Sequence, residues 1–324
     1  MSNYTLVDIS YLKHYTKTTL PKTTDLSNYK FNVLTRLEEV LTKLFLEFPI
    51  EQVILCRDCP RDDIWRKDIY PDYKLNRNIR ESKLDPMELE LNKLIFSAIT
   101  SQITKVAKSN RIPLLEHKRF ESDDLEALII QHNNQHTFTV VARDFDLYQL
   151  LDRNVMMFDF TDGYFTHSDF ILKYRIHPKD YWIVKCLAGD VSDNIIAIKG
   201  VGEKSVLKYL LKELPQYNES GTISKKYKAI EDGYTEYIER LAKIIQLPCE
   251  ENEYFGNLIY KLSKFSKKPK KIICNWDKDT IKLNNTIKLR TGIKLANTKK
   301  ARLECFLTIF NDEYNTTTKK EGLV

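Results

Sequence analysis

The chain has 324 residues, of which 42% are hydrophobic and 30% are charged, so it can bury a sizeable core. No stretch approaches the roughly 20 apolar residues that a membrane helix requires, and the N-terminus lacks the basic-then-apolar pattern of a secretion signal. Among six cysteines only Cys56 and Cys59 are close in sequence, which excludes a four-cysteine zinc site. We therefore expect a soluble intracellular protein with reduced thiols.

The net charge of +6 is unevenly distributed. Residues 261–300 hold 13 Lys and Arg against Asp277 and Asp279, a local charge of +11, so the remainder carries −5. An acidic body with a basic segment favours a metal site beside a nucleic-acid surface; a merely solvated basic face is the alternative. No glycine precedes Gly163, so the Gly-rich loops of NTPases and nicotinamide enzymes are absent from the N-terminal half.

The N-terminal pattern alternates between strand and helix. It predicts a strand at 4–8, a polar loop through about residue 26, an amphipathic helix at 31–48 and a second strand at 52–56. An acid, Asp8 or Asp58, stands at the end of each strand. This order predicts a parallel α/β sheet with a site at its carboxyl edge.

Residues 60–85 interrupt that pattern. Basic and acidic residues mix with Trp65, Tyr70 and Tyr73, and no apolar period persists. Such a segment suits a single nucleic-acid strand, because cations meet its phosphates and aromatic rings stack on its bases. An ordinary solvated loop is the alternative, although a loop of this length usually has a function.

The pattern then predicts helices at 86–110 and 123–131, strands at 137–142 and 155–160, a turn at Asp162-Gly163 and a helix at 178–189. The boundary between an α/β body, residues 1–177, and a helical second part, residues 178–324, is expected near residues 175–180. Beyond about residue 214 the pattern is helical and polar.

Acidic residues recur at the predicted strand ends, at one helix start and in one turn. Clustered acids would repel by several kcal/mol per close pair unless cations neutralise them. Two divalent ions can drive an in-line phosphoryl displacement, and no histidine is placed to suit zinc, so we expect two Mg²⁺ ions, with Mn²⁺ as a substitute. The nine candidate metal ligands are Asp8, Asp58, Glu121, Asp123, Asp124, Asp144, Asp146, Asp190 and Asp193.

A glycine turn follows the last two acids. Gly200 and Gly202 let the backbone approach a phosphate closely, at the start of a predicted helix whose N–H groups favour anions. The helix carries Lys204, Ser205 and Lys208, which we expect to bind DNA together with the two glycines.

These motifs resemble the flap endonuclease or 5′-nuclease family, most closely its phage and bacterial 5′→3′ exonuclease branch, which includes phage-type ribonuclease H. The resemblance covers about residues 1–215. It is carried by Val7-Asp8, Leu55-Cys56-Arg57-Asp58, Tyr73-Lys74-Leu75-Asn76-Arg77, Glu121-Ser122-Asp123-Asp124, Arg143-Asp144-Phe145-Asp146 and Gly189-Asp190-Val191-Ser192-Asp193-Asn194 with Lys199-Gly200-Val201-Gly202.

The resemblance implies a PIN-like parallel-sheet nuclease body, a helical arch at about 60–85 and a helix–three-turn–helix at about 180–213 that grips duplex DNA. It assigns Lys74 and Arg77 to the base of the arch, as cations that contact the scissile phosphate. It also implies that Gly200 and Gly202 form a hairpin, which holds K⁺ in some relatives. Phe145 and Ala197 depart from it, because the family usually has glycine there. By the same resemblance, the first ion is bound by Asp8, Asp58, Glu121 and Asp123. Asp144 and Asp146, both catalytic, lie between the two ions, and Asp190 and Asp193 lie nearer the second. Asp124 matches an acid of the phage and bacterial branch.

The expected function is that of a metal-dependent, structure-specific 5′ nuclease in DNA replication or repair, with RNase H-type primer removal. Its substrates would be 5′ flaps, nicks or RNA–DNA hybrid. We expect a monomer in the cytoplasm of a bacterium or phage-infected host, with clamp or single-stranded-DNA-binding proteins as replisome partners. The alternatives are a PIN-type ribonuclease, which needs no duplex grip, and a non-catalytic nucleic-acid-binding replication protein, which needs no acids.

Overall fold

A six-stranded sheet forms the centre of the protein, described here from a computed structural model for residues 2–20 and 29–248. Its strand order is β3-β2-β1-β4-β5-β6, and every neighbouring pair is parallel except β5 with β6. The strands are β1 (Asn3–Asp8), β2 (Val53–Arg57), β3 (Leu114–Glu116), β4 (Thr137–Val141), β5 (Val155–Asp159) and β6 (Gly163–Phe165). The basic segment at 261–300 lies outside the described residues.

Ten helices surround the sheet or extend from it in the described part of the chain. They are α1 (Ile9–Thr18), α2 (Tyr29–Glu47), α3 (Arg66–Ile69), α4 (Leu75–Glu81), α5 (Pro86–Ser109), α6 (Ser122–His132), α7 (His167–Tyr174), α8 (Tyr181–Ala188), α9 (Glu203–Leu210) and α10 (Lys225–Ile245). None of these described helices is both long and apolar enough to cross a bilayer.

The central strands are buried on both faces, because alternate side chains point to opposite sides of a strand. In β1, Leu6 joins the cluster that packs against α6 and α8, whereas Val7 joins the cluster formed with α1, α2 and α5. Both residues are completely buried. The sheet is therefore held rigidly between two helical layers, which fixes the positions of its carboxyl ends.

The chain after Asp8 is helical, so the prediction of a polar loop there was wrong. Helix α1 begins at Ile9 and is capped by Asp8, whose carboxylate accepts a hydrogen bond of 2.7 Å from the backbone N–H of Ser10. Ile9, Leu12 and Thr16 are buried along one side. This apolar stripe is narrow, and the polar residues around it conceal the helical period.

Residues 60–85 contain short helical pieces rather than one regular element. A 3₁₀ turn at Arg61–Asp63 is followed by α3 and α4, and α5 then begins after Asp85, which caps it. The helix predicted at 178–189 is a 3₁₀ turn at Pro178–Asp180 followed by α8. The arch and the domain boundary near 175–180 stay predictions.

The polypeptide turns sharply after α8. Gly189 has a φ of 70°, and a Cβ on it would lie 2.5 Å from the backbone nitrogen of Ala197. Only glycine therefore permits this close approach. The turn leads into a loop closed by two backbone hydrogen bonds between Asp190 and Ile195, of 2.8 and 2.9 Å.

Candidate metal centre and nucleic-acid interface

Three acids lie side by side at the carboxyl edge of the sheet. Asp8 ends β1, Asp58 follows β2 and Asp144 follows β4, and these three strands are neighbours. The backbone N–H of Ser122 donates to Asp58 over 2.7 Å, and the Ser10 hydroxyl donates to the same carboxylate. Burial and the nearby Asp58 raise the pKa of Asp8 to about 7. The parallel sheet thus crowds these carboxylates as the sequence predicted.

A cavity of about 790 Å³ opens over this edge. Five of the nine predicted acids line it together with both predicted cations. They are Asp8, Asp58, Glu121, Asp123, Asp144, Lys74 and Arg77. We call this cavity the acid cleft. A phosphate entering it would meet acids on the floor and cations at the side.

The last three acids form a separate cluster beside the cleft. Asp146, Asp190 and Asp193 each offer an oxygen within 4.8 Å of the other two, so they could hold a metal ion. Burial raises the pKa of Asp146 to about 7. Lys185 lies between two of these acids, with its Nζ 2.8 Å from Asp146 Oδ1 and a hydrogen bond to Asp190.

The two predicted cations connect the cleft with this cluster. Lys74 precedes α4 in a left-handed conformation, with φ 58°, and its side chain is 9% exposed. Its ammonium donates to Glu121 and lies 3.6 Å from Asp193 Oδ1, which also accepts a bond of 3.2 Å from Arg77. Both cations therefore converge on one carboxylate, although Lys74 stands outside the helix that carries Arg77.

Asp124 does not line the acid cleft, and its assignment as a metal ligand stays a prediction. It is fully buried and accepts bonds of 2.8 and 2.9 Å from Arg66 and one of 2.9 Å from Trp65. The backbone N–H of Glu121 donates a fourth bond, of 3.0 Å. Oδ2 accepts three of these bonds and Oδ1 accepts one, so protein donors on both oxygens hold the carboxylate in place.

Arg66 is an unpredicted part of the site. Its guanidinium, 2% exposed, also pairs with Glu121 at 3.0 Å and with Asp123 at 3.2 Å, and its Nε donates to the carbonyl of Ile244 in α10. It therefore fixes two cleft acids against the C-terminal end of a distant helix. The only feature of the sequence that could have indicated this role is that Arg66 directly follows Trp65 within residues 60–85.

Two further buried ionisable groups were missed. Lys185 is the single charge in the otherwise apolar helix α8, and that isolation was a usable signal. Glu126 is completely buried in α6, and neither carboxylate oxygen has a hydrogen-bond partner among the described residues. Burial and the negative charge of Asp8 hold the pKa of Glu126 well above its usual range.

The predicted DNA-binding residues lie around the start of α9. Gly200 has a φ of 78° and Gly202 is the N-cap of the helix. Lys204 and Lys208 are exposed, whereas Ser205 is buried at 8% exposure. The two lysines are accessible to a phosphate backbone, whereas Ser205 is buried, and its contact with DNA stays a prediction.

The donor atoms of the cleft and of the three-acid cluster suit hard divalent cations. Every predicted ligand is a carboxylate oxygen, which matches Mg²⁺ or Mn²⁺ better than softer metals. Burial raises the pKa of Asp8 and of Asp146 to about 7, and the negative charge of Asp58 adds to the effect at Asp8. The residues therefore fit the expected ions.

A parallel sheet flanked by helices, with acids at its carboxyl edge, defines the PIN-like class of nuclease folds. A sequence model of the 5′-3′ exonuclease N-terminal resolvase-like domain matches residues 3–175, more than half of the chain. The chain belongs to this 5′-3′ exonuclease family, and the resemblance noted in the sequence is confirmed.

Individual relatives agree with this assignment. A 5′-3′ exonuclease of Aquifex aeolicus is 33% identical over 150 residues, which are 45% of this chain and 48% of that protein. One of Halalkalibacterium halodurans is 29% identical over 214 residues, 64% of each protein. The chain thus spans about half the length of the first relative and under two thirds of the second.

Solved structures show the same fold. The zinc-bound T5 5′-exonuclease superposes with a TM-score of 0.64 at 17% identity, over 82% of this chain and 100% of that one. A T5 flap endonuclease pseudo-enzyme–product complex with DNA and metal ions gives 0.65, with the same identity and coverage. At this identity the likeness establishes the fold alone, and it confirms the predicted PIN-like body.

Proposed function

We propose that this protein is a metal-dependent, structure-specific 5′ nuclease that hydrolyses phosphodiesters near junctions of single- and double-stranded DNA. The observation that carries the proposal is the convergence of five carboxylates with Lys74 and Arg77 in one cleft. Acids alone would repel a phosphate, and cations alone would bind it without providing sites for ions. Both together suit phosphodiester hydrolysis, and membership of the exonuclease family supports the same reaction.

The acids divide into two groups that would each hold one Mg²⁺. Asp8, Asp58, Glu121, Asp123 and Asp144 line the cleft, whereas Asp146, Asp190 and Asp193 form the neighbouring cluster. When bound, a pair of divalent ions supplies Lewis-acid stabilisation of the charge that develops on the phosphate. The protein holds these carboxylates in place from the carboxyl edge of the sheet, the start of α6, the 3₁₀ turn after β4 and the loop after α8.

Lys74 and Arg77 would orient the scissile phosphate and stabilise its transition state. Their charged groups lie together at Asp193, at the side of the cleft. Low exposure of Lys74 strengthens its electrostatic effect, because little water screens it. These cations therefore act on charge as it develops, and more on rate than on affinity.

Duplex binding would use the turn before α9. Gly200 and Gly202 expose backbone there, and Lys204 and Lys208 add positive charge. Residues 60–85 would form the arch that receives the 5′ strand, and the hairpin would hold K⁺. In this proposal residues 1–177 are catalytic and residues 178–324 bind DNA.

The biological substrates would be 5′ flaps, nicks and RNA–DNA hybrids in replication or repair. Flap endonuclease activity of a structural neighbour supports the first of these. The proposed setting is a monomer inside the cell, working with clamp or single-stranded-DNA-binding proteins.

Cleavage of end-labelled substrates tests the proposal. The full chain is incubated with 5′-flap, nicked, RNA–DNA hybrid and single-stranded RNA substrates, with Mg²⁺ or with EDTA. We expect Mg²⁺-dependent cutting at the junction, products with a 5′-phosphate and little cutting of single-stranded RNA. The Asp146→Asn variant should lose all but a few per cent of this activity while binding flap DNA within a few-fold. Junction-independent cutting of RNA would instead identify a PIN-type ribonuclease, and binding without cutting a non-catalytic protein.

A further inference from the structure

A second, smaller cavity opens next to the acid cleft. Its volume is about 240 Å³, and it shares Arg143 and Asp144 with the cleft, so the two spaces meet at one of the catalytic acids. Aromatic side chains and one lysine supply most of its remaining wall. They are Phe145, Tyr148, Phe158, Tyr164, Phe165 and Lys173. We call this space the aromatic side pocket.

Three rings in the wall of the pocket stack on one another with moderate tilts. The Phe145 ring lies 5.2 Å from that of Tyr148 with an interplanar angle of 28°, and Tyr148 lies 4.9 Å from Phe165 at 30°. Tyr148 is buried at 7% exposure, but Phe145 is 51% exposed. Phe145 is therefore the outer ring of a supported stack and has surface left for another flat molecule.

The position of Phe145 is fixed by the site itself. Phe145 lies between Asp144 and Asp146 in the sequence and is the first residue of the 3₁₀ turn Phe145–Leu150. The Asp144 carboxylate accepts a hydrogen bond of 2.9 Å from the backbone N–H of Asp146, which closes the loop around Phe145. The phenyl ring thus cannot move far from the catalytic acids, and whatever stacks on it must lie beside the scissile phosphate.

Two cations, Arg143 and Lys173, and three acids, Asp144, Asp159 and Asp162, line the pocket. Arg143 pairs with Asp162 at 3.1 Å on the pocket rim, and the Lys173 ammonium lies 5.9 Å from the Phe165 ring centroid. The stacked rings suit a nucleobase of any sequence, because every base has a flat π-face. The volume is slightly below that of sites for drug-sized ligands, which suits a single base.

We propose that the aromatic side pocket binds the nucleobase next to the scissile phosphate, with Phe145 as its stacking partner. This inference rests on the proposed nuclease function, because it places that phosphate in the acid cleft. Stacking would fix the rotation of the nucleotide about its backbone and so align the phosphate with the carboxylates. Phe145 is then a substrate-positioning residue that reads the presence of a base and not its identity.

Fluorescence of 2-aminopurine tests the contact without requiring cleavage. The base analogue is placed in turn at each nucleotide around the junction of a flap substrate, and binding is followed in Ca²⁺. We expect quenching at one nucleotide flanking the scissile phosphate with the wild type and with Phe145→Trp. The quenching should be lost with Phe145→Ala and retained with Leu172→Ala, since Leu172 is exposed but lines neither cavity.

An abasic nucleotide at the same position separates stacking from a general loss of structure. In the wild type, removing the base should lower affinity or single-turnover rate roughly tenfold, the scale of one base–aromatic stack. Phe145→Ala should show the same loss with the intact substrate and little further loss with the abasic one. Equal abasic effects in both proteins, or no position-specific quenching, would overturn the proposal. Failure of the nuclease function itself would appear separately, as absence of Mg²⁺-dependent cutting by the wild type.

Discussion

The ammonium group of Lys185 lies 2.8 Å from Asp146 Oδ1 and also donates a hydrogen bond to Asp190. One side chain, 13% exposed, therefore provides positive charge to two of the three acids that could hold a metal ion. A divalent ion binding there would compete with this ammonium, because both are attracted to the same carboxylates. Lys185 is thus expected to weaken metal binding at the cluster while stabilising the metal-free protein.

Replacing Lys185 by Met tests this competition. The variant should bind the weaker of two Mn²⁺ ions several-fold more tightly, as measured by calorimetry or by electron paramagnetic resonance. Without metal its free energy of unfolding should fall by about 1–3 kcal/mol, because two partly buried carboxylates lose their partner. Lys179→Met is the matched control, because Lys179 is exposed and its ion pair with Asp152 is long, at 3.9 Å. Unchanged or weaker Mn²⁺ binding by Lys185→Met would contradict the competition.

Lys74→Ala is expected to lower single-turnover cleavage of a 5′ flap by roughly 100-fold or more, the cost of losing a preorganised donor. Substrate affinity in Ca²⁺ should fall much less. Arg77→Ala should act in the same direction, and the double variant should cost less than the sum, because both cations contact Asp193.

Lys83→Ala serves as control for that series, because Lys83 is exposed in the same segment. Its cleavage rate should equal that of the wild type. If Lys74→Ala also cuts at the wild-type rate, Lys74 is a structural counterion of Glu121 and Asp193 and takes no part in the reaction.

The pKa values of Asp8 and Asp146, each raised to about 7, predict an unusual pH dependence for the metal-free protein. Between about pH 4 and pH 7 the folded state keeps protons that the unfolded state has released, so these two groups make stability fall as pH rises. Divalent ions should reverse the trend, because they bind the deprotonated carboxylates.

Thermal melts at about pH 5.5 and pH 7.5, with EDTA or Mg²⁺, measure this effect. The melting temperature in EDTA should be lower at the higher pH, and Mg²⁺ should raise it more there. In an Asp8→Asn/Asp146→Asn variant the contribution of these groups should disappear. If the melting temperature of the wild type in EDTA rises between these two pH values, other ionisable groups dominate the pH dependence of stability.

Lys204→Ala should weaken binding to duplex-containing substrates and reduce the salt slope by about one unit, because one phosphate contact is lost. Binding to short single strands should change little. Ser205→Ala should leave both unchanged, since that side chain is buried. Equal losses by Lys204→Ala on single-stranded and duplex substrates would mean that Lys204 does not lie on a duplex-specific surface.

The sequence by itself determined the family and four of the six strands, β1, β2, β4 and β5. Strands that are apolar on both faces and end in Asp8, Asp58 or Asp144 can only belong to a covered parallel sheet, whose geometry brings strand ends together. Local pattern therefore predicted both the strands and the edge at which the acids meet. Helix α1 was missed because its buried stripe of Ile9 and Leu12 is too narrow to stand out among polar neighbours.

Only the tertiary structure decided which partner each charged side chain contacts. Asp123 and Asp124 are adjacent in sequence, yet one lines the acid cleft and the other is enclosed by Arg66 and Trp65. Lys185 could have faced solvent, but the loop after Gly189 folds Asp190 back onto it. Sequence spacing sets the direction of a side chain within its own element, whereas its partners lie in other elements, which for Asp124 are more than fifty residues away. Their distances depend on how the helices pack, which no local pattern records.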